Sequence, residues 1–406
     1  MKRFVGGHRL TLLRNGAEYF PALIAGIDAA AREVFLETYI YADDDAGRAV
    51  TAALVRAAQR GVATHVLVDA WGSHDYLPEQ VVAQLQDAGV RFAFYRPEIA
   101  PWHFRLHRLR RLHRKLCEID GRLAFVGGIN IIADENTPRQ VPPRVDFAVA
   151  IEGPALAAIA ETMKRLWSIV EIVTLKQASY PLFGERQLSK SAGDQEAKFL
   201  IRDNLRNRRS IEGAYLAAIR SAKQEIIIAN AYFLPGIRFR HALMAAAERG
   251  VRVVLILQGR VEYLLLHFAT RALYGSFLHA GIEIHEHHYS FMHAKVAVID
   301  RRWATVGSSN IDPFSLLLSR EANVVARDNK FAEELREAIT QMQARGSRHV
   351  APSDWAGRGR LYKLIVWLAY GLVRLLTGLV GYGPQWQVGG KRRRARSAKP
   401  SGKIAP

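Results

Sequence analysis

The sequence predicts an α/β protein that contains two similar domains. The motif H-x-K-x(4)-D occurs twice, beginning at His113 and at His293, and an Asn follows each copy at the same distance. The segments before the motifs also align, residues 22–95 with residues 214–286. Two unrelated segments would not share this register, so the chain contains a duplicated unit.

Each unit alternates strand-like and helix-like segments. In the first unit, the apolar and β-branched run at residues 33–40 is followed by an Ala-rich stretch that ends in Arg-Gly, and then by a second strand-like run. This alternation predicts a layered sheet with helices on its faces. The motif segments L-C-E-I and V-A-V-I alternate between turn signals, so each motif is predicted to lie on a strand.

Composition divides the chain into five predicted parts. A polar interval from Gln177 to Gln195, with Pro and Gly and few apolar residues, indicates a linker. With 49% hydrophobic residues, the chain can form two cores of ordinary size. The predicted parts are a first domain (1–180), a linker (181–195), a second domain (196–345), a membrane-interfacial helical segment (346–390) and a basic disordered tail (391–406).

The two-residue period of a strand puts the His and the Lys of each motif on the same face. The pairs are His113 with Lys115 and His293 with Lys295. An imidazole can act as a nucleophile or a general acid near neutral pH, and an ammonium group offsets the charge of a phosphate oxygen. In-line displacement at a phosphodiester needs a nucleophile on one side and a proton donor on the other. Two facing half-sites supply both.

Two further pairs of polar residues follow from the duplication. Asn130 and Asn310 can each donate a hydrogen bond to another phosphate oxygen. The motif aspartates, Asp120 and Asp300, complete the two predicted His-Lys-Asp sets. Because each Asp ends its strand on the face away from the His, we interpret both as holding the strand-to-loop turn.

These paired motifs, each followed by G-[GS]-x-N, resemble those of the phospholipase D superfamily. The resemblance implies two α/β sandwich domains related by a pseudo-two-fold axis, with both His-Lys pairs in one cleft. It also implies a phosphohistidine intermediate, with His113 as the nucleophile and His293 as the acid and then the base. No metal and no other cofactor is implied.

The resemblance further implies an acidic residue after each motif that orients a catalytic imidazole. The matching positions are Asp146 in R-V-D-F-A-V and Glu321 in R-E-A-N-V-V. Carboxylates in these places would fix the tautomer of the ring. The alternative is that both residues are caps or salt-bridge partners, which is common for acidic residues after a strand.

Within the superfamily, the sequence resembles bacterial cardiolipin synthases of the B type over most of residues 8–345, through segments such as L-E-T-Y-I-Y-A-D-D-D-A-G and I-I-I-A-N-A-Y-F-L-P-G. This resemblance implies transfer of a phosphatidyl group, from phosphatidylglycerol or phosphatidylethanolamine, onto phosphatidylglycerol to form cardiolipin. Three alternatives stay open: a phospholipase D-type lipid hydrolase, a nuclease, and a non-catalytic basic membrane-binding protein. No nucleic-acid partner is expected, and the sequence does not determine the oligomeric state.

The charge of the chain indicates a polyanionic partner, because the formal net charge is +19. Anionic phospholipids at a membrane surface fit both this charge and the resemblance. Two clusters contain many of the cations, one before the first motif (Arg105, Arg108, Arg110, Arg111) and one in the C-terminal tail (Lys391, Arg392, Arg393, Arg394, Arg396, Lys399, Lys403).

Residues 361–383 are apolar except for one stripe that contains Lys363 and Arg374. The uncharged run between these two cations is shorter than the roughly 20 residues of a spanning helix, so the segment is predicted to lie in the membrane interface. Packing against the protein is the alternative. The N-terminal residues lack the apolar run of a secretory signal, which predicts a peripheral location on the cytoplasmic side of the inner membrane.

Overall fold

The computed structural model describes residues 3–96, 111–137, 140–182, 190–203, 207–312 and 319–377. Four parts of the sequence-based prediction lie outside these residues. They are the basic tail at 391–406, the end of the interfacial segment at 378–390, residues 183–189 of the linker, and the arginines Arg105, Arg108 and Arg110 of the first basic cluster.

The first half of the chain contains nine strands and four helices among its described residues. The strands are β1 (Val5–Arg14), β2 (Glu33–Thr38), β3 (Ala63–Asp69), β4 (Arg91–Tyr95), β5 (Arg111–Leu112), β6 (Lys115–Ile119), β7 (Leu123–Gly127), β8 (Arg144–Val145) and β9 (Phe147–Glu152). The helices are α1 (Asn15–Asp28), α2 (Asp45–Gln59), α3 (Glu79–Asp87) and α4 (Leu156–Val173).

The described part of the second half repeats this order and adds helices at its end. Its strands are β10 (Gln195–Arg202), β11 (Glu225–Asn230), β12 (Arg252–Gln258), β13 (Glu283–His287), β14 (Phe291–Met292), β15 (Lys295–Ile299), β16 (Trp303–Gly307), β17 (Ser319–Arg327) and β18 (Ser347–His349). Its helices are α5 (Ser210–Ser221), α6 (Ile237–Glu248), α7 (Leu264–Arg271), α8 (Tyr274–His279), α9 (Asn329–Gly346), α10 (Pro352–Ala356) and α11 (Arg360–Thr377).

The strands of the two halves join in mirrored order. The first half reads β4-β3-β2-β6-β7-β9-β1 from its edge, and the second continues β10-β17-β16-β15-β11-β12-β13, with β18 at the far edge. At the centre β1 and β10 pair antiparallel, with Val5 opposite Ala197. Because these central strands are equivalent, a pseudo-two-fold axis passes between them. The predicted fold class, α/β with two similar domains, is confirmed.

Three hydrophobic clusters hold these layers together. The central cluster lies between the two halves, where β7 and β9 approach β16 and β17, and includes Val149 and Val324. The other two clusters lie under the outer helices, around Leu54 in the first half and Leu243 in the second. Full burial of one such side chain contributes about 1.5–3 kcal/mol. Because strands covered on both faces bury every side chain, their sequences are continuous apolar runs, as in the I-I-I of β11.

The last described helix, α11, packs along α7. Its side chains Val366, Ala369 and Val373 are buried against the second half. Among the residues that the structure describes, no helix is both long and apolar enough to cross a membrane. Residues 347–349, at the start of the predicted interfacial segment, form β18 and pair with β13. The helical part of that segment therefore begins after these residues.

Candidate active site

The motif strands β6 and β15 occupy equivalent central places in the two halves, and each motif His lies two residues before the first residue of its strand. The backbone around each His pairs with the opposite half of the chain. Strand β5 runs parallel to the start of β17, with Leu112 opposite Arg320, and the His113 N–H donates to the Arg320 carbonyl at 3.1 Å. The first motif is thereby aligned with the residue that follows Arg320, which is Glu321.

The second motif is held in the same way. Strand β14 runs parallel to β8, with Met292 opposite Val145, and the His293 N–H donates to the Val145 carbonyl at 2.8 Å. The next residue after Val145 is Asp146. Each His is therefore placed beside an acidic residue from the other half of the chain, and the two half-sites share one cleft.

Each imidazole contacts its carboxylate through Nδ1. The His113 Nδ1 atom lies 2.9 Å from Glu321 Oε1, and the His293 Nδ1 atom lies 2.7 Å from Asp146 Oδ2. An ionised carboxylate can only accept, so each Nδ1 carries a proton and each Nε2 keeps a free lone pair. The sequence indicated both acidic residues but not that the pairs cross between the halves.

The motif lysines are buried beside these pairs. Lys115 Nζ donates to the His113 carbonyl at 2.5 Å, and Lys295 Nζ donates to the His293 carbonyl and lies 3.6 Å from Asp146 Oδ2. Burial lowers the pKa of Lys115 to about 7 and that of Lys295 to about 8. An anion bound in the cleft would favour the charged form of both lysines.

Burial also governs the titration of the imidazoles. It lowers the pKa of His113, although the carboxylate of Glu321 opposes this effect. The pKa of His293 is lowered further, by burial and then by the nearby cations Lys295 and Arg144. Burial raises the pKa of Asp146 to about 6. Both imidazoles are therefore neutral at pH 7.

Asn130 and Asn310 each lie three residues after the end of a strand, β7 and β16 respectively, and both are buried. The side-chain oxygen of Asn130 accepts a hydrogen bond from the Ile40 N–H at 3.1 Å. This contact fixes the amide so that its NH₂ group, the donor, points the other way. Asn310 occupies the equivalent position in the second half.

The motif aspartates are the members of the predicted sets that the structure does not bring into the cleft. Asp120 and Asp300 lie at the far ends of β6 and β15, with positive φ angles of 57° and 51°. Each carboxylate accepts three backbone N–H bonds at the start of a neighbouring strand. The donors are Ala31, Arg32 and Glu33 for Asp120, and Lys223, Gln224 and Glu225 for Asp300.

The sequence analysis did not identify two residues whose side chains support the motifs, each by accepting a backbone hydrogen bond from the residue before a motif His. Asp69 Oδ2 accepts from the Leu112 N–H at 2.7 Å, and Gln258 Oε1 accepts from the Met292 N–H at 3.3 Å. Leu112 and Met292 each precede a motif His. The signal was present in the repeat, because R-G-V-A-T-H-V-L-V-D aligns with R-G-V-R-V-V-L-I-L-Q and places Asp69 opposite Gln258.

A second missed pair is Gly128 and Ser308, which are equivalent in the two motifs. A Cβ atom on Gly128 would lie 2.3 Å from Asp146 Oδ1, so only Gly leaves room for that carboxylate. Ser308 Oγ instead donates a hydrogen bond to Glu321 Oε2. Within the part of the chain that the structure describes, no group of three or more His, Cys, Asp or Glu side chains is arranged to hold a metal ion.

Duplicated α/β halves that share one cleft, each with a His, a Lys and a crossed carboxylate, define the phospholipase D superfamily architecture. The chain belongs to the family described as cardiolipin synthase, phospholipase D-like domain, which matches residues 23–167 and 215–343. It is accordingly an enzyme of the phosphatidyltransferase class. The resemblance recognised from the motifs is confirmed.

Similar proteins agree with this membership. The chain is 37% identical to cardiolipin synthase B of Escherichia coli over 385 residues, which cover 93% of this chain and 91% of that protein. It is 29% identical to cardiolipin synthase A of Pseudomonas fluorescens, over 89% of this chain and 73% of that protein. The solved structure of phosphatidylserine synthase from Haemophilus influenzae matches with a TM-score of 0.66 at 14% identity, over 93% of this chain and 96% of that one. This last likeness shows the fold.

Proposed function

We propose that this enzyme makes cardiolipin by passing a phosphatidyl group through a phosphohistidine at His113 to the glycerol of a phosphatidylglycerol acceptor. The observation that carries the proposal is the crossed arrangement of the two His-carboxylate pairs in one cleft. Two imidazoles with free Nε2 atoms provide the two groups that double displacement at phosphorus needs. Membership of the cardiolipin synthase family supports the choice of lipid.

In the first step, the Nε2 lone pair of His113 attacks the phosphorus of the donor lipid. The bond from phosphorus to the head-group oxygen breaks, and protonated His293 gives its proton to the leaving alcohol. Lys115, Lys295 and the two asparagines are placed to offset the charge on the phosphoryl oxygens.

In the second step, the acceptor hydroxyl gives its proton to the now neutral His293 and attacks phosphorus. The P–N bond breaks and His113 is restored. One diester is exchanged for another, so the reaction needs no nucleotide.

The role of His293 as an acid requires it to gain a proton after substrate binds. Its pKa is lowered by burial and then by Lys295, Arg144 and Lys115. The negative charge of a bound phosphodiester offsets these cations and therefore raises the pKa of His293. Substrate binding therefore favours uptake from solvent of the proton that His293 gives to the leaving alcohol.

The outward face of α11 supports a membrane as the partner. The half-buried Lys363 and Arg374 lie on the side of the helix that faces the protein. An ordinary surface helix has the opposite arrangement, with its charged side chains in solvent and its apolar side chains against the protein. Eight large apolar side chains of this helix are exposed instead: Leu361, Leu364, Ile365, Trp367, Leu368, Leu372, Leu375 and Leu376. An apolar face of this kind marks an interaction site, and a net charge of +19 favours an anionic lipid surface. We propose a peripheral location on the cytoplasmic side of the inner membrane.

The reaction can be tested with purified enzyme and vesicles of labelled phosphatidylglycerol, with and without phosphatidylethanolamine. We expect cardiolipin together with released glycerol, or with ethanolamine if phosphatidylethanolamine is a donor. Phosphatidic acid as the only product would establish the hydrolase alternative. Cleavage of DNA without any lipid product would establish the nuclease alternative.

The membrane contact can be tested by Leu368→Glu and Trp367→Glu in α11. Both side chains face outward, so we expect binding to phosphatidylglycerol vesicles to fall while turnover of a soluble short-chain phosphodiester is unchanged. The matched control is Leu175→Glu, because Leu175 is 97% exposed and lies in the first half, just after α4. Equal vesicle binding by all three variants would contradict the proposed contact.

A further inference from the structure

A pocket open to solvent lies beside β12 and α7, in the half of the chain that contains His293. Its polar lining includes Tyr232, Gln258, Arg260, Glu262 and Tyr263. No equivalent of the Glu262 carboxylate follows β3 in the first half, where the chain turns directly at Asp69 through A-W-G-S. The pocket is therefore a feature of one half-site.

The floor of this pocket adjoins His293. Ala231, which lines the pocket, donates its N–H to the Ala294 carbonyl at 2.9 Å. Gln258, also in the lining, accepts from the Met292 N–H at 3.3 Å. These contacts fix the pocket to the residues on both sides of His293. A group bound there is close to the backbone of the second motif, which carries the imidazole proposed as the acid and then the base.

The pocket presents a carboxylate that substrate can reach. Tyr232 Oη donates to Glu262 Oε2, which leaves the other carboxylate oxygen as an acceptor, and the Glu262 side chain is open to solvent. Burial of part of the group raises the pKa of Glu262, while Arg144 and Lys295 favour its ionised form. The segment itself is anchored, because Gln140 of the first half donates to the Val261 carbonyl at 3.0 Å.

We propose that Glu262, oriented by Tyr232, binds the hydroxyl groups of a glycerol head group and so selects the alcohol that reacts at His293. The inference rests on the proposed transfer reaction. The leaving alcohol receives its proton from His293 and the acceptor gives its proton to the same atom, so both occupy the same place in turn. In phosphatidylglycerol both alcohols are glycerol units, and one hydroxyl-binding subsite therefore serves both steps.

A donor lipid whose leaving group is not glycerol allows the choice of acceptor alcohol to be measured separately from cleavage of the donor. Phosphatidyl-p-nitrophenol releases nitrophenolate without needing an acid, and the phosphoenzyme is then divided among added glycerol, propan-1-ol, ethanolamine and water. We expect Glu262→Ala to lower the preference for glycerol over propan-1-ol about tenfold, since it removes a hydrogen bond to a charged group. Each product is measured relative to the nitrophenolate released in the same reaction, so a change in the first step does not alter the measured preference.

Three variants complete the test. Glu262→Gln keeps an acceptor oxygen and should retain part of the preference for glycerol, and Tyr232→Phe should lower it because the carboxylate loses its orienting donor. Glu283→Gln is the matched control, since Glu283 is a surface carboxylate of the same half that pairs with Arg252 at 2.7 Å. It should behave as the parent enzyme.

An unchanged preference for glycerol in Glu262→Ala would overturn the subsite. So would a selective loss of ethanolamine transfer with glycerol transfer retained, because the carboxylate would then recognise an ammonium group. Failure of the parent enzyme to release nitrophenolate would instead contradict the phosphohistidine mechanism, so the two failures are distinct.

Discussion

The two half-sites have the same backbone plan but different surroundings for the imidazole. On the His113 side, the carboxylate is a Glu that also accepts a hydrogen bond from Ser308. On the His293 side, the carboxylate is the shorter Asp146, Gly128 stands in place of Ser308, and Lys295 lies 3.6 Å from the carboxylate. The duplicated scaffold therefore fixes the position of each His, and a few residue differences at equivalent positions set the charge around it.

This difference is relevant to the proposed division of roles. The pKa of His293 is lowered by burial and by several cations, whereas Glu321 partly offsets the effect of burial on His113. A bound phosphate would offset the cations that lower the pKa of His293. A group that takes up and releases a proton during the reaction suits such a place, and the glycerol-binding pocket that we infer adjoins the same half-site.

The largest effect is expected from removing either imidazole. His113→Ala and His293→Ala should each lower cardiolipin formation by ~10³-fold or more without unfolding the protein. With phosphatidyl-p-nitrophenol the two should differ: His293→Ala should still release nitrophenolate in a burst, because this leaving group needs no acid, and His113→Ala should not. A burst from His113→Ala alone would reverse the assigned order, and normal turnover by either variant would contradict the mechanism.

A smaller loss is expected at Gly128. Gly128→Ala places a Cβ atom against Asp146 Oδ1, so the carboxylate must move away from His293, and we expect a loss on the order of 10²-fold in kcat/KM. The control is Gly213→Ala in α5, where a Cβ atom meets nothing within 4 Å. Its activity should be unchanged. Full activity in Gly128→Ala would show that the close Asp146 contact is dispensable.

The equivalent change in the other half-site should lower activity less. Ser308 already carries a Cβ atom, so Ser308→Ala introduces no clash. It removes the hydrogen bond to Glu321 and the one that Ser308 Oγ accepts from the Ala322 N–H at 3.1 Å, and kcat/KM should fall about fivefold. Steady-state kinetics of both variants side by side measure the comparison directly. A loss as large as that of Gly128→Ala would mean that the two carboxylates are equally sensitive to their neighbours.

The pH dependence should separate the two carboxylates. Burial raises the pKa of Asp146 to about 6, and the protonated form no longer offsets the positive charge that His293 carries as the acid, so kcat/KM should fall as the pH drops through about 6. Asp146→Asn should lower activity and abolish this acidic limb, whereas Glu321→Gln should lower activity and keep it. On the alkaline limb of the pH profile, Lys115, whose pKa is about 7, loses its charge, and kcat/KM should fall as the pH rises. An acidic limb that persists in Asp146→Asn would assign it to another group.

The sequence was sufficient for the fold class and for most of the candidate site, because the repeat supplied two independent copies of each signal. It placed His113 and His293 by motif and Asp146 and Glu321 by resemblance. It did not reveal that Asp69 and Gln258 support the motifs, although the same alignment contained both. A lone Asp or Gln at the end of a strand has no distinctive local pattern, so only its hydrogen bond identifies its role.

What the sequence by itself determined is local: the strand period that puts His and Lys on one face, the duplicated register, and the apolar helix after the second domain. The tertiary structure decided which groups meet. Glu321 lies 208 residues from His113 along the chain, and Asp146 lies 147 residues from His293. These pairs form because the backbone before each motif hydrogen-bonds to a strand of the other half, and no local pattern encodes contacts of that range. The outward direction of the leucines on α11 was likewise fixed only when Val366 and Val373 became buried against the second half.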